Sequence, residues 1–227
     1  NVEEGPVWTT IRFSGETKAS YAPDGLKVEI RIFNTTKRID FVYTLRKKAI
    51  QDPEAVYLAF PFNIPEGKIR FDVPGGTVEA GIDQIPGSTT DWNTIQNFAS
   101  ISNGEMQVIV TSPEAPLMQL GGINSGRYKA GSTPENTHIY GWPMNNYWTT
   151  NFNADQRGEI TFTYSITSGK DGGNLGATKF GWNRRIPLLG RTLPAAMTQT
   201  ATGNLPDNVS LISGIPENVM VVSAIQD

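Results

Sequence analysis

Apolar and polar side chains alternate most cleanly between Leu26 and Phe33, where Leu26, Val28, Ile30 and Ile32 fall on one side and Lys27, Glu29 and Arg31 on the other. Period-two alternation puts successive side chains on opposite faces of a strand, so this segment predicts a strand with one wet face. After Asn34-Thr35-Thr36-Lys37 the pattern resumes with Ile39, Phe41, Tyr43 and Leu45 inward, and the two segments predict a hairpin. The run 55–60 is apolar on both faces, as in a central strand, and is bounded by Pro61 and Pro65. Ile69, Phe71 and Val73 alternate with Arg70 and Asp72 up to a turn at Pro74-Gly75-Gly76. Further strands are predicted over 106–110 and 159–166, and a terminal hairpin over 209–212 and 219–225 around Gly214-Ile215-Pro216.

Helical spacing is absent apart from one short turn over 94–98. Segments 82–102 and 121–155 lack strand patterning and read as long loops, the places where binding residues gather on a rigid sheet. The stretch 169–176, with Asp171-Gly172-Gly173-Asn174, reads as a plain turn. These elements define an all-β fold, a two-sheet antiparallel sandwich, with residues 1–227 forming one domain.

Composition narrows the functions. The 19 basic and 22 acidic residues give a formal charge of −3 without a concentrated basic face, which disfavours nucleic acid. No run of about 18 apolar residues exists, so a membrane span is not expected, and Asn1-Val2-Glu3-Glu4 does not start like a signal peptide. The absence of an initiator Met points to a processed protein or a fragment. Zero cysteines exclude disulfides and thiolate chemistry but leave the compartment open, with periplasmic or secreted location the preferred reading. The sequons at Asn34 and Asn208 are short enough to arise by chance, and no glycan is expected.

The single histidine, His138, has no neighbouring metal-ligand spacing and no nucleophile elbow, so no metal is assigned to this chain and the residue reads more readily as structural. Glycoside hydrolysis needs two positioned carboxylates, and Asp72, Glu79, Asp83, Asp91 and Glu135 are available in the turn and loop regions. Their spacing does not pair them, and solvated loop charges explain them as well. The most distinctive stretch runs from His138 to Phe152. Its Trp142, Tyr147 and Trp148 rings offer faces to the C–H surface of a sugar, and Asn145 and Asn146 can both donate to and accept from hydroxyls. With His138 these form the candidate ligand-binding set. The same rings would equally serve a sandwich core.

Within this stretch, Trp142-Pro143-Met144-Asn145-Asn146-Tyr147-Trp148-Thr149-Thr150-Asn151-Phe152, followed by 158–166, resembles the C-terminal β-sandwich region of glycoside hydrolase family 38, the α-mannosidases. Arg38-Ile39-Asp40-Phe41, the run from Ala55 to Phe62, Asp72-Val73-Pro74-Gly75-Gly76 and the closing 218–225 agree in order, so the resemblance spans about residues 26–225. It implies a galactose mutarotase-like supersandwich that packs on a catalytic barrel of the same polypeptide. It also implies that zinc and the aspartate nucleophile belong to that barrel, which this sequence does not contain, so no catalytic residue is carried over. The expected function is a non-catalytic, carbohydrate-contacting accessory domain of a mannosidase-like glycosidase, with a mannose-containing glycan as partner. A free-standing carbohydrate-binding module is the alternative. A mutarotase-like epimerase using His138 and a carboxylate is a further one.

Overall fold

The computed structural model describes residues 1–124, 133–147, 153–192, 206, 208–210 and 212–221. Two antiparallel sheets face each other. The larger has nine strands in the order β1-β2-β3-β4-β13-β10-β9-β6-β7 and the smaller four, in the order β5-β12-β11-β8. In chain order these are β1 (Val2–Glu4), β2 (Trp8–Gly15), β3 (Leu26–Phe33), β4 (Ile39–Lys47), β5 (Ala55–Phe60), β6 (Lys68–Val73), β7 (Gly76–Glu79), β8 (Asn93–Thr94), β9 (Ala99–Ser102), β10 (Met106–Thr111), β11 (Leu117–Leu120), β12 (Ile139–Asn145) and β13 (Gly158–Lys170). One helix, α1 (Gly173–Arg185), follows β13.

The predicted β3–β4 hairpin forms in a register from Leu26 opposite Leu45 to Ile32 opposite Ile39. Its charged side carries the ion pairs of Arg12 and Arg31 with Glu29, at 2.6 and 2.5 Å, where burial raises the Glu29 pKa but bonds from both guanidiniums lower it further. Between the sheets, Leu45, Ile69, Ile101, Val110, Phe162 and Tyr164 of the larger sheet meet Phe60, Met118, Leu120, Ile139 and Met144 of the smaller. Gly141 lies against the Tyr164 ring so closely that a Cβ there would sit 2.4 Å from the phenol oxygen.

Several expectations are corrected. The 55–60 run is not a central strand: β5 ends the smaller sheet, and its second apolar side is matched by an aromatic ring from β12 rather than by another layer. Segments 82–102 and 121–155 are not devoid of strands, since they hold β8, β9 and β12. Small serines hid β9, and Gly141 with Pro143 hid β12, whose register shifts between Gly141 and Met144 to accommodate the proline in a bulge. The turn expected over 94–98 is not helical. Its backbone amides from Gln96 to Phe98 instead donate to the Asp72 carboxylate, at 3.1, 2.7 and 2.8 Å.

The 169–176 stretch is not a plain turn but opens α1. Glycine is a poor helix former, so the sequence signal is weak. Tertiary contact supplies the reason for it, because α1 lies close against the outer face of the larger sheet, and a Cβ at Gly181 would approach Asn97 to 3.0 Å. Phe98, Ile109, Ala177 and Phe180 form a small second core there. Arg184 clamps the helix end through Ser165 Oγ at 2.8 Å and the buried Asp40, which itself accepts from Ser165 at 2.6 Å. Of the terminal hairpin, residues 211 and 222–225 lie outside the described set. The described Val209, Ile212, Val219 and Val221 form no strand and are exposed. β1 and β2 were not anticipated. No described helix is long and apolar enough to cross a membrane.

Two outcomes follow. Gly141→Ala should destabilise the fold by about 2 kcal/mol or more, because the Tyr164 ring has no room to retreat; urea denaturation measures it, and an unchanged midpoint would refute this packing. Asp171 accepts from Ser102 Oγ and from Gly173 N, and these bonds hold its carboxyl below the usual range. A lowered folded pKa contributes stability above the unfolded value of about 3.9, and that contribution disappears as pH falls through the folded value. Asp171→Asn should therefore cost about 1 kcal/mol at pH 7 and progressively less below pH ~3.9.

Candidate functional site

Strand β12 builds the candidate site by alternation. Ile139, Gly141 and Met144 point into the sandwich, which turns Tyr140 and Trp142 to the outer side of the smaller sheet. Trp142 is only 1% exposed. It stacks on Tyr57 of β5, with centroids 5.6 Å apart and planes 9° apart, meets Trp92 edge-on at 6.2 Å, and is flanked by Tyr147 at 6.4 Å. Beside them Gln119 is fully buried, donating to the Tyr57 hydroxyl at 3.1 Å and accepting from Asn124 N at 2.7 Å. Trp142 therefore lies at the centre of an aromatic layer, while half-buried Tyr57, Trp92 and Tyr147 carry that layer's outward surface.

His138 stands two residues before Tyr140. Its ring is half-buried, edge-on to Tyr140 at 6.2 Å, with Nδ1 3.3 Å from the Tyr140 hydroxyl. Among the described residues no group of three or more His, Cys, Asp or Glu side chains could hold a metal.

The two asparagines lie at the other end of β12. Asn146 is a clamp: its Oδ1 accepts from Glu54 N at 2.6 Å, and its Nδ2 faces the carbonyls of Ile50, Asp52 and Ala154 at 3.2, 3.0 and 3.0 Å. A sugar hydroxyl would have to compete with the protein's own backbone for this amide. Asn145 makes no side-chain hydrogen bond to a described residue and lines a cavity of about 270 Å³, shared with Lys47, Glu54, Met144 and Asp155. Lys47, 5% exposed, pairs there with Glu54 and donates to Lys48 O at 2.9 Å. Asp155 pairs through one oxygen with Arg157, and its buried Oδ1 has no hydrogen-bond partner among the described residues. Trp148 lies outside the described residues.

The candidate set thus divides between two places: Trp142 and Tyr147 in the aromatic layer, with His138 farther along the strand, and Asn145 and Asn146 at the cavity. Sequence reasoning missed Tyr57, Trp92, Gln119, Lys47 and Glu54. The signal for Tyr57 was present, since Val56, Leu58 and Phe60 set the inward side of β5 and leave Tyr57 on the outer one. Nothing marked Lys47, whose inward direction continues the Tyr43–Leu45 alternation with a charged residue.

The carboxylates are dispersed. Asp72 is buried and also accepts from Asn97 Nδ2 at 2.8 Å. Glu79 pairs with Arg70 at 2.9 Å and Lys68 at 3.4 Å, and Asp83 accepts from Glu79 N at 2.8 Å. Asp91 is buried, and Glu135 is exposed beside a smaller cavity of about 150 Å³ with Gln84 and Asn93.

No model of a known protein family matches this chain, and no curated protein matches it.

The asparagines can be told apart by stability. Asn146→Ala should lower the unfolding free energy by about 2 kcal/mol, because it strands several backbone groups. Asn145→Ala should change it by less than about 0.5 kcal/mol. Equal effects in urea titrations would contradict the assignment of one as clamp and the other as cavity lining.

Proposed function

We propose that this chain is the non-catalytic accessory β-sandwich of a family 38-like α-mannosidase, contributing contact surface while the bond-breaking groups lie on another part of the enzyme. The observation that carries this reading is the engagement of three of the five candidate acids, Asp72, Glu79 and Asp83, within the fold. Glycoside hydrolysis requires one carboxyl that protonates the leaving oxygen and a second facing it across the sugar. Asp72 is committed to the backbone of 96–98, Glu79 to two cations and Asp83 to the backbone of Glu79. Each of these carboxylates is spent on partners within the protein and none of the three faces another across an open cavity.

The resemblance of the β12 string to the α-mannosidase sandwich supplies the class of enzyme. The half-buried rings of Tyr57, Trp92 and Tyr147 suit the C–H surface of a glycan, and the separate amide-lined cavity at Asn145 suits its hydroxyls. The cavity favours a second reading, the free-standing carbohydrate-binding module, because its size approaches the lower end of ligand pockets, near 300 Å³.

Purified chain incubated with an aryl α-mannoside and added Zn²⁺ should release no phenol, and zinc-dependent turnover would sink the accessory reading. Titration with methyl α-mannoside, followed by NMR, separates the two readings. Shifts centred on Asn145 that disappear in Asn145→Ala would favour the binding module, whereas an unperturbed spectrum leaves the accessory role as the better account.

A further inference from the structure

A sheet with one apolar face needs a covering layer, and the two sheets here do not match in width. β5, the end strand of the smaller sheet, lies above β4 and β13: Phe60 packs on Phe41 at 6.1 Å and on Tyr164 at 5.3 Å. Beyond it β3, β2 and β1 continue the larger sheet for three more strands, about 14 Å at the usual ~4.8 Å spacing. Direct pairing places Val2, Ile11, Phe13, Val28, Ile30 and Ile32 on the same inner face as Tyr43 and Phe41. Along this overhang Val2, Phe13 and Ile32 are 62%, 54% and 40% exposed. The opposite face of the same strands carries Glu3, Arg12, Glu29 and Arg31 in ion pairs. The overhang therefore has a charged face suited to water and an apolar face that, among the described residues, no strand of the smaller sheet covers, although Val28 at the step is already buried.

The sheet edges point to what covers it. Exposed edges are ordinarily short or charged, which blocks further pairing. β1 has three residues, two of them Glu; β8 has two residues; β7 has four and ends in Glu79. β5 is six residues, Ala55 to Phe60, with no charge and no proline. A small apolar cavity of about 110 Å³, lined by Leu26, Tyr43, Leu45, Val56, Leu58 and Phe162, marks the step from β5 down to the overhang.

We infer that the outer edge of β5 and the inner face of β1–β3 form a docking surface for extended strands of polypeptide that adjoins this chain in its gene. These strands would add to β5 by main-chain pairing and lay alternate apolar side chains on Ile11, Phe13, Ile30 and Ile32. The step has room for about three strands, and the apolar surface is continuous with the core through Leu26, Phe41 and Tyr43. A second copy fits less well. Joining β5 to β5 would drive the two overhangs into each other, since each continues its larger sheet past the β5 edge.

The inference rests on the reading of this chain as part of a larger protein and names the surface where the remainder attaches. The test uses the full-length polypeptide of the gene. Hydrogen exchange should be slow at every amide from 55 to 60, about 10-fold or more slower than at β8, because both sides of β5 are paired. Phe13→Glu and Ile32→Glu should each lower its Tm by about 4 °C or more, although both residues are exposed in this chain. Fast exchange at alternate β5 amides, or unchanged Tm in both variants, would overturn the inference and leave the accessory reading standing. A reading frame with no polypeptide beyond these residues would overturn both. If the chain forms dimers in sedimentation and β5 is protected only within them, the covering layer is a second copy and the inference fails.

Discussion

Tyr164 occupies the position on which the two sheets depend. It is fully buried at the middle of β13, packed by Phe60 from the facing sheet, with Gly141 of β12 laid directly against its ring. A large ring against a residue without a side chain lets the sheets approach where the layer is thickest, and the dense packing of an interior leaves no slack for either partner to change size. Burial pushes the Tyr164 phenol pKa well up, so it remains neutral inside the sandwich. The aliphatic contacts on both sides follow from the separation that this pair sets.

The outer face of the larger sheet is held by different means. Under α1 the buried surface includes Asp40, Ser165, Ser100, Ser102 and Gln107 beside a small apolar cluster. Buried polar groups must find partners or they destabilise the fold, and here they do so by fastening the helix and the 96–98 segment: Ser165 and Asp40 to Arg184, Asp72 to three successive amides. This layer is directional, because each bond demands a particular partner, whereas the inner layer asks mainly for shape. Such geometry accounts for Gly181 in the helix, where close approach to Asn97 outweighs intrinsic propensity.

The candidate site uses both kinds of support. The aromatic layer on the smaller sheet is shape-driven, with Trp142 enclosed by other rings, and the neighbouring cavity is walled by directional bonds, with Asn146 and the Lys47–Glu54 pair fixing the segment that bounds it. A residue type that would suit a sugar is thus also the type that closes a fold. Burial and bonding separate the two uses: Trp142 and Asn146 are occupied by the protein itself, whereas Asn145, at the cavity wall, makes no side-chain hydrogen bond to a described residue.

Alternation in the sequence was enough for β3, β4, β6, β10 and most of β13, because a strand with one wet side writes its period directly into residue type, and for the all-β class. It identified the β12 stretch as unusual without identifying it as a strand, since a bulge with Pro143 and a glycine required by Tyr164 both erase the period. Tertiary structure alone decided that β5 ends a sheet, that a glycine-rich turn is a helix, and that the candidate ligands divide between an aromatic layer and a cavity. Those outcomes depend on which surfaces meet across long chain separations. A residue's own chemistry states what it can tolerate, but only its neighbours in space determine which of its hydrogen bonds and faces are already taken.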